Sequence, residues 1–391
     1  MYRQQMRHFP PIKSSLCILL TLAVNAGSQR PRSELGVYLG WVGTYPGNRL
    51  QEGARLAKEM AKQSGFQTIR LPLVASVETD FGIGGTCHAK RTLASLVSLP
   101  AYAKVLGDPA FRTIFLTLWG DSNSYDACDS RDPKTDQHPQ KRYLDPKFYS
   151  IAANRDRTRN EYADVTYRIY ETYRGTGKVF GISNWEGDNE LYCDSAYYFA
   201  TNAPFRSSCE AKRNTADVLA AYRQFFELRQ QGIDQGRARA RREGLKGVSV
   251  LSVIEVSALR FLKDAHLPSM LEDVIPSLSM PDYVSYSAWE SIGATPDQLF
   301  KDLDELQRRF KEHVIVGEFG FDRGLDSAAS EHASSAISTM RRARIPYAIW
   351  WQIFDQPPLA GLGDMGLFGL YDDHGKLTAP GKAFLDSQAS R

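Results

Sequence analysis

Eight short apolar runs, rich in β-branched residues, recur along the chain: Leu35–Trp41, Thr68–Leu73, Thr113–Trp119, Lys178–Asn184, Gly247–Ser257, Tyr283–Ala288, His313–Phe319 and Tyr347–Ile353. Most are apolar without alternation, as expected of strands covered on both faces, and this favours a parallel sheet. Helical periodicity fills the intervals. Arg49–Ser64 places Leu50, Ala54, Ala57 and Ala61 on one face and stops at Gly65. Thr295-Pro-Asp-Gln298 has the form of a capping box with proline at the first helical position, and Leu299, Leu303, Leu306 and Phe310 follow at helical spacing. Further helices are predicted over Leu93–Leu106, broken or kinked at Pro100, and over Arg159–Tyr173, Ala216–Gln231 and Ser327–Arg342. Eight strands alternating with helices predict an α/β fold, a single (β/α)8 TIM barrel, with a doubly wound sheet as the other arrangement of the same elements. The loops after strands are long and polar, notably Asp121–Asp145 and Cys193–Asn214. In a barrel those loops build the active face.

The first 26 residues read differently. Arg3, Arg7 and Lys13 precede the apolar stretch Leu16–Val24, which is too short to span a bilayer, and Val24-Asn-Ala26 fits a small-residue cleavage site. A secretory signal peptide over 1–26 is expected, followed by one catalytic domain over 27–391 and an extracellular or periplasmic location. Four cysteines remain beyond it, and export permits two disulfides; Cys193–Cys209 and Cys87–Cys128 are the pairing expected. At 391 residues and 42% hydrophobic the chain can bury a large core, and a net charge of +3 points to neither nucleic acid nor a membrane surface as partner. The basic run Arg237–Arg242 reads as a solvated helix end. His88, His266 and His313 lack metal spacing, and the aspartates at 121, 126, 129 and 132 lack the EF-hand pattern. No metal or other cofactor is expected, and a monomer is the default.

Two of the apolar runs end in glutamate: Val179–Glu186 and His313–Glu318. A carboxylate at the end of a buried strand implies a polar cavity beyond it. All six tryptophans, Trp41, Trp119, Trp185, Trp289, Trp350 and Trp351, fall at or near the C-terminal ends of predicted strands. Gathered at one rim they would offer flat apolar platforms suited to the C–H faces of sugar rings. Paired carboxylates among such platforms suit glycosidic cleavage: one donates a proton to the leaving oxygen while the other attacks the anomeric carbon or activates water.

Several motifs, in this order, resemble the clan A glycoside hydrolases. Gly65-Phe-Gln-Thr-Ile-Arg-Leu-Pro72 is similar to their second strand, Asp282-Tyr-Val-Ser-Tyr286 to the sixth, Val316-Gly-Glu-Phe-Gly320 to the seventh, Tyr347-Ala-Ile-Trp-Trp351 to the eighth, and Gly369–Pro380 to the segment that follows. The resemblance implies a retaining O-glycosyl hydrolase on a (β/α)8 barrel. It assigns the acid/base to Glu186 and the nucleophile to Glu318, with Arg70 and Tyr286 supporting the nucleophile. Asn184, Trp185, Trp289, Trp350, Trp351, Trp41 and Trp119 would meet a β-linked carbohydrate.

The chain departs from that pattern in two places. Asparagine usually stands directly before the acid/base; here Trp185 does, and the adjacent pair Asn189-Glu190 follows four residues later. Glu190 is thus the alternative acid/base, and a role for Asn184 at the sugar 2-hydroxyl is open. The strand-six histidine is replaced by Ser287. Glu255, late in the fifth run, could bind substrate or pair with an arginine, and Asp322 could cap its loop. A sugar-binding protein that has lost its chemistry and an exported metallohydrolase are the two other functional classes.

Overall fold

The computed structural model describes residues 33–40, 45–74, 77–84, 91–118, 143–292, 295–356 and 366–389. The predicted signal peptide, Trp41, Trp119, Cys87 and Cys128 lie outside the described residues.

Eight strands form a closed, all-parallel barrel in sequence order: β1 (Glu34–Tyr38), β2 (Thr68–Pro72), β3 (Thr113–Thr117), β4 (Lys178–Ser183), β5 (Val248–Val256), β6 (Tyr283–Ser287), β7 (Val314–Phe319) and β8 (Tyr347–Trp350), with β8 pairing back onto β1. Each begins within one residue of the run that predicts it, and every run but the seventh extends past the C-terminal end of its strand. The helix over Arg49–Ser64 forms as predicted, with Asn48 accepting from the Gln51 N–H at its start and Gly65 in the left-handed conformation at its end. Thr295 caps the helix Pro296–Phe310 through the Gln298 N–H. The Leu93–Leu106 segment divides into Leu93–Val97 and Pro100–Leu106, with Pro100 at the first turn of the second helix. The helix predicted to end at Gln231 runs from Thr215 to Arg242, so the basic run is its last turn. Among the described residues no helix is long and apolar enough to cross a membrane.

Strand alternation sorts the side chains into two layers. Leu35, Val37, Ile69, Leu71, Ile114, Leu116, Phe180 and Ile182 face outward into the main core beneath the helices. Tyr38, Phe115, Val253, Ile315, Ile349, Trp351 and Phe368 fill a second cluster inside the barrel. Gly181 makes room for Phe115 there, since a Cβ on it would lie 2.5 Å from the Phe115 ring.

Alternation breaks in β7. Tyr286 pairs with Val316, but the next residue, Ser287, pairs with Glu318; on the other side Val316 pairs with Ala348 and Phe319 with Trp350. β7 therefore carries one extra residue at Gly317, a bulge. Strict alternation from the inward-facing Ile315 would turn Glu318 out toward the helices; the bulge re-aims it into the barrel.

Candidate active site

Above the interior aromatic cluster lies a polar layer contributed by five strands. Arg70 comes from β2, Thr117 from β3, Glu255 from β5, Ser285 and Ser287 from β6, and Glu318 from β7, all buried. Arg70 organises it. Its guanidinium makes a two-pronged contact with Glu255, at 2.5 Å to Oε2 and 3.0 Å to Oε1, while its Nε donates to Thr117 Oγ1 at 3.0 Å. Two further N–H groups reach backbone carbonyls: Nη1 to Gly317 at 3.1 Å and Nη2 to Asn184 at 3.1 Å. Glu318 Oε1 lies 3.6 Å from Arg70 Nη1, an ion pair too long for a hydrogen bond. That oxygen is buried without a hydrogen-bond partner. The Trp289 side chain stands close enough to the Glu318 carboxylate to favour its charged form.

Glu186 sits on the turn after β4. Its backbone N–H donates to Glu255 Oε1 at 3.2 Å. One carboxylate oxygen accepts from the Ser287 hydroxyl and the other from the Asn189 side-chain amide. Ser287 is also the register partner of Glu318 across β6 and β7. Ser287 thus stands beside both: its hydroxyl is bonded to Glu186, and its backbone neighbours that of Glu318 on a strand about 4.8 Å away. The turn itself is tied down. Asn189 Oδ1 accepts from the Ala196 N–H at 2.9 Å, and the buried Asp188 accepts from the Ser257 and Met270 N–H groups at 2.9 and 2.7 Å. The Cys193–Cys209 disulfide is formed immediately beyond it.

Both glutamates are pushed above the ordinary carboxylate range. For Glu186 burial is the chief cause and the Glu255 charge adds to it, against the hydrogen bonds from Ser287 and Asn189; its pKa rises to about 7. For Glu318 burial and the Glu255 and Glu186 charges raise it, while Arg70 and the Trp289 side chain pull the other way. Three buried carboxyl groups face one guanidinium, so their mutual repulsion adds to burial in raising both.

The upward shift of Glu186 makes stability depend on pH. A carboxyl whose folded pKa lies above its unfolded value binds protons more tightly when folded, so stability is lost as pH rises from about 4.5 to about 7. The penalty is on the order of 3 kcal/mol for a fully buried group. Glu186→Gln is therefore expected to be more stable than the wild type at pH 8 and no more stable at pH 4. Denaturant midpoints at the two pH values check this; a gain independent of pH would show that Glu186 is not the group that titrates.

The structure distributes the other predicted residues unevenly. Trp351 packs inside the barrel with its ring edge-on to Tyr38 at 4.6 Å, and its indole N–H donates to Gln356 Oε1 at 3.1 Å. Trp289 is half-buried, edge-on to Phe368 at 5.3 Å. Trp185 is half-buried at the end of β4. Asn184 does not face the opening: its amide oxygen accepts from the Glu255 N–H at 2.9 Å and its NH2 donates to the Glu255 and Trp185 carbonyls, each at 3.1 Å, so it latches β4 to β5. Tyr286 does not support the nucleophile as expected. Alternation in β6 turns Ser285 and Ser287 inward and Tyr286 outward, where its hydroxyl meets Glu290 at 3.0 Å and Ser291, not Glu318. Trp350 likewise points into the outer core beside Phe319, fully buried, its indole N–H donating to the Phe368 carbonyl at 2.8 Å. Glu190 is buried among the helices, accepting from the Tyr143 and Tyr222 hydroxyls. Glu255 pairs with Arg70, the second of its two readings. Asp322 caps its loop by accepting from the Gly324 N–H at 2.8 Å. Among the described residues no three His, Cys, Asp or Glu side chains converge in a way that could hold a metal.

Sequence reasoning passed over Ser285, Gly317 and Tyr38 and gave Ser287 and Asn189 no role at the site. The two serines were findable as the polar positions of an otherwise apolar, alternating strand; nothing in the sequence marks the bulge.

No family model matches the chain, and no curated protein does. Solved structures do. A GH5_18 protein from Streptomyces cattleya in complex with Manβ1-4GlcNAc is 13% identical, with 92% of this chain and 80% of that one aligned at a TM-score of 0.54. The exo-β-1,4-mannosidase Op5Man5 from Opitutaceae bacterium strain TAV5 is 14% identical, with 92% and 59% covered at 0.53. This chain has the fold of the GH5 glycoside hydrolases. A broad-specificity GH5-4 endoglucanase from Bacteroides salanitronis extends the likeness over 91% of this chain and 92% of that one, at 12% identity and a TM-score of 0.51. At these identities the GH5 likeness is one of fold, and the chemistry has to be argued from the site.

Proposed function

We propose that the protein is a retaining glycoside hydrolase acting on β-linked oligo- or polysaccharides by double displacement. Glu318 attacks the anomeric carbon, displacing the leaving oxygen as Glu186 protonates it. Glu186, now ionised, then takes a proton from water, which attacks the glycosyl-Glu318 ester and releases the sugar with retained configuration. The observation that carries this is the pair of buried glutamates gathered around Arg70 and Glu255 in one polar layer, one of them presenting an unbonded carboxylate oxygen beside a cation.

The environments divide the roles. Arg70 and the Trp289 indole favour the ionised form of Glu318, as a nucleophile needs. Glu186 accepts only from neutral side-chain donors, and its pKa near 7 suits a group that gives and takes a proton. Trp351, Trp289, Phe368 and Tyr38 supply apolar walls for the sugar ring. Retention requires the two carboxyl groups to stand about 5–5.5 Å apart, whereas inversion requires room for a water between them; the anomer released decides between the two. The basic, apolar and small-residue order of residues 1–26 supports export, with the substrate met outside the cytoplasm.

The test is hydrolysis of aryl β-glycosides and β-linked glucans and mannans, with the first-formed anomer followed by NMR. Wild type should release the β-anomer, and Glu186→Gln and Glu318→Gln should each fail on unactivated substrates. Release of the α-anomer, or turnover that survives both substitutions, would overturn the proposal.

A further inference from the structure

We propose that Glu255 is a positioning residue of this site, one that fixes Arg70 against both glutamate-bearing strands and sets how much of its positive charge acts on Glu318. The inference rests on the hydrolase reading for its consequences in turnover, but its physical content does not.

Glu255 stands where three strands meet. Its Oε2 accepts from Arg70 Nη1 at 2.5 Å and from Ser285 Oγ at 2.8 Å; its Oε1 accepts from Arg70 Nη2 at 3.0 Å and from the Glu186 N–H at 3.2 Å. Its own backbone is clasped by Asn184 through both N–H and C=O. The side chain is fully buried. One carboxylate therefore grips the guanidinium, the β6 strand and the start of the Glu186 turn. Through Arg70 it also reaches the Gly317 carbonyl, which holds the bulge that aims Glu318.

The charge arithmetic follows from the same contacts. Arg70 is 2.5 Å from Glu255 and 3.6 Å from Glu318, so its nearer partner takes the larger share of its field. Among the described residues, the titratable and charged groups facing this cluster are Tyr38 from β1, Arg70 from β2, Glu186 after β4, Glu255 itself from β5 and Glu318 from β7. β3 and β6 contribute the neutral Thr117, Ser285 and Ser287, and β8 leads into the neutral Trp351. Arg70 is the sole cation among them. Replacing Glu255 by glutamine keeps its size and a hydrogen bond to Arg70 but removes one negative charge, leaving the guanidinium to Glu318 and Glu186. Both carboxyl groups should then ionise at lower pH.

The Trp289 side chain reads this, because it stands close enough to Glu318 to interact with its charge. In protein carrying 15N-labelled indole, with the Trp289 resonance assigned by Trp289→Phe, its chemical shift is followed against pH in wild type and Glu255→Gln. The expected result is a titration midpoint lower by about one unit or more in the variant, with the pH–rate profile displaced in the same direction. An unmoved midpoint in folded Glu255→Gln would overturn the proposal. Should that variant fail to fold, Glu255→Asp decides. It keeps the charge on a shorter stem, so the midpoint should stay and kcat should fall about tenfold or more at unchanged KM; a wild-type kcat or a moved midpoint would overturn the proposal. If no glycoside is turned over by the wild type but the midpoint shifts as expected, the hydrolase reading fails and the role of Glu255 stands. Normal turnover with an unmoved midpoint gives the converse.

Discussion

Glu318→Gln is expected to lower kcat on β-linked substrates by on the order of 10⁴-fold or more while KM stays within a few-fold of wild type. The amide matches the carboxylate in shape, so the cavity and the Trp289 contact persist and the sugar still binds. What disappears is a nucleophile able to form the glycosyl-enzyme, an interaction made only on the way to the transition state. The buried, unbonded Oε1 is the atom concerned. Steady-state kinetics with isothermal binding of a non-hydrolysed disaccharide separates the two quantities. A variant keeping more than about one-tenth of wild-type kcat would remove Glu318 from the chemistry.

Gly317→Ala should be nearly as damaging, through the fold. A Cβ at this position would lie 2.0 Å from Ser285 Oγ, 2.1 Å from Glu255 Oε2 and 2.9 Å from Arg70 Nη1. None of these atoms can withdraw without breaking a buried hydrogen bond or the ion pair, and a buried pair that loses its geometry leaves uncompensated charge. Overpacking and the broken network together should lower stability by about 3 kcal/mol. Displacement of Arg70 and Glu318 by about 1 Å should reduce kcat by on the order of 10²-fold even where the variant folds. Denaturant unfolding and kcat at a temperature well below the transition measure the two effects. Wild-type stability together with wild-type kcat would show that the network yields freely.

Much of the barrel was legible because its strands are covered on both faces, which writes them as unbroken apolar runs. The two glutamates stood out for the same reason: a charge at the end of such a run has nowhere to go but a cavity. Side-chain direction was harder to read. Tyr286 and Trp350 sit at suggestive positions, yet alternation turns both into the helix layer, and its phase is unmarked where neighbouring positions are equally apolar. The bulge at Gly317 reverses that phase within a single strand, so the inward aim of Glu318 depends on a backbone irregularity that no residue pattern announces. Glu255 was visible as a lone acid in an apolar run. Its partner lies 185 residues away, and only closure of the barrel brings the two together.

The asparagine that latches β4 to β5 stands two residues before Glu186, with a tryptophan between them. A motif search tuned to an adjacent asparagine–glutamate doublet would settle on Asn189 and Glu190, and would nominate as proton donor a side chain sealed between two tyrosines. Distant kin that share this spacing would be misread in the same way. Aligning them on the latch, not on the doublet, leads to Glu186, the acid proposed above.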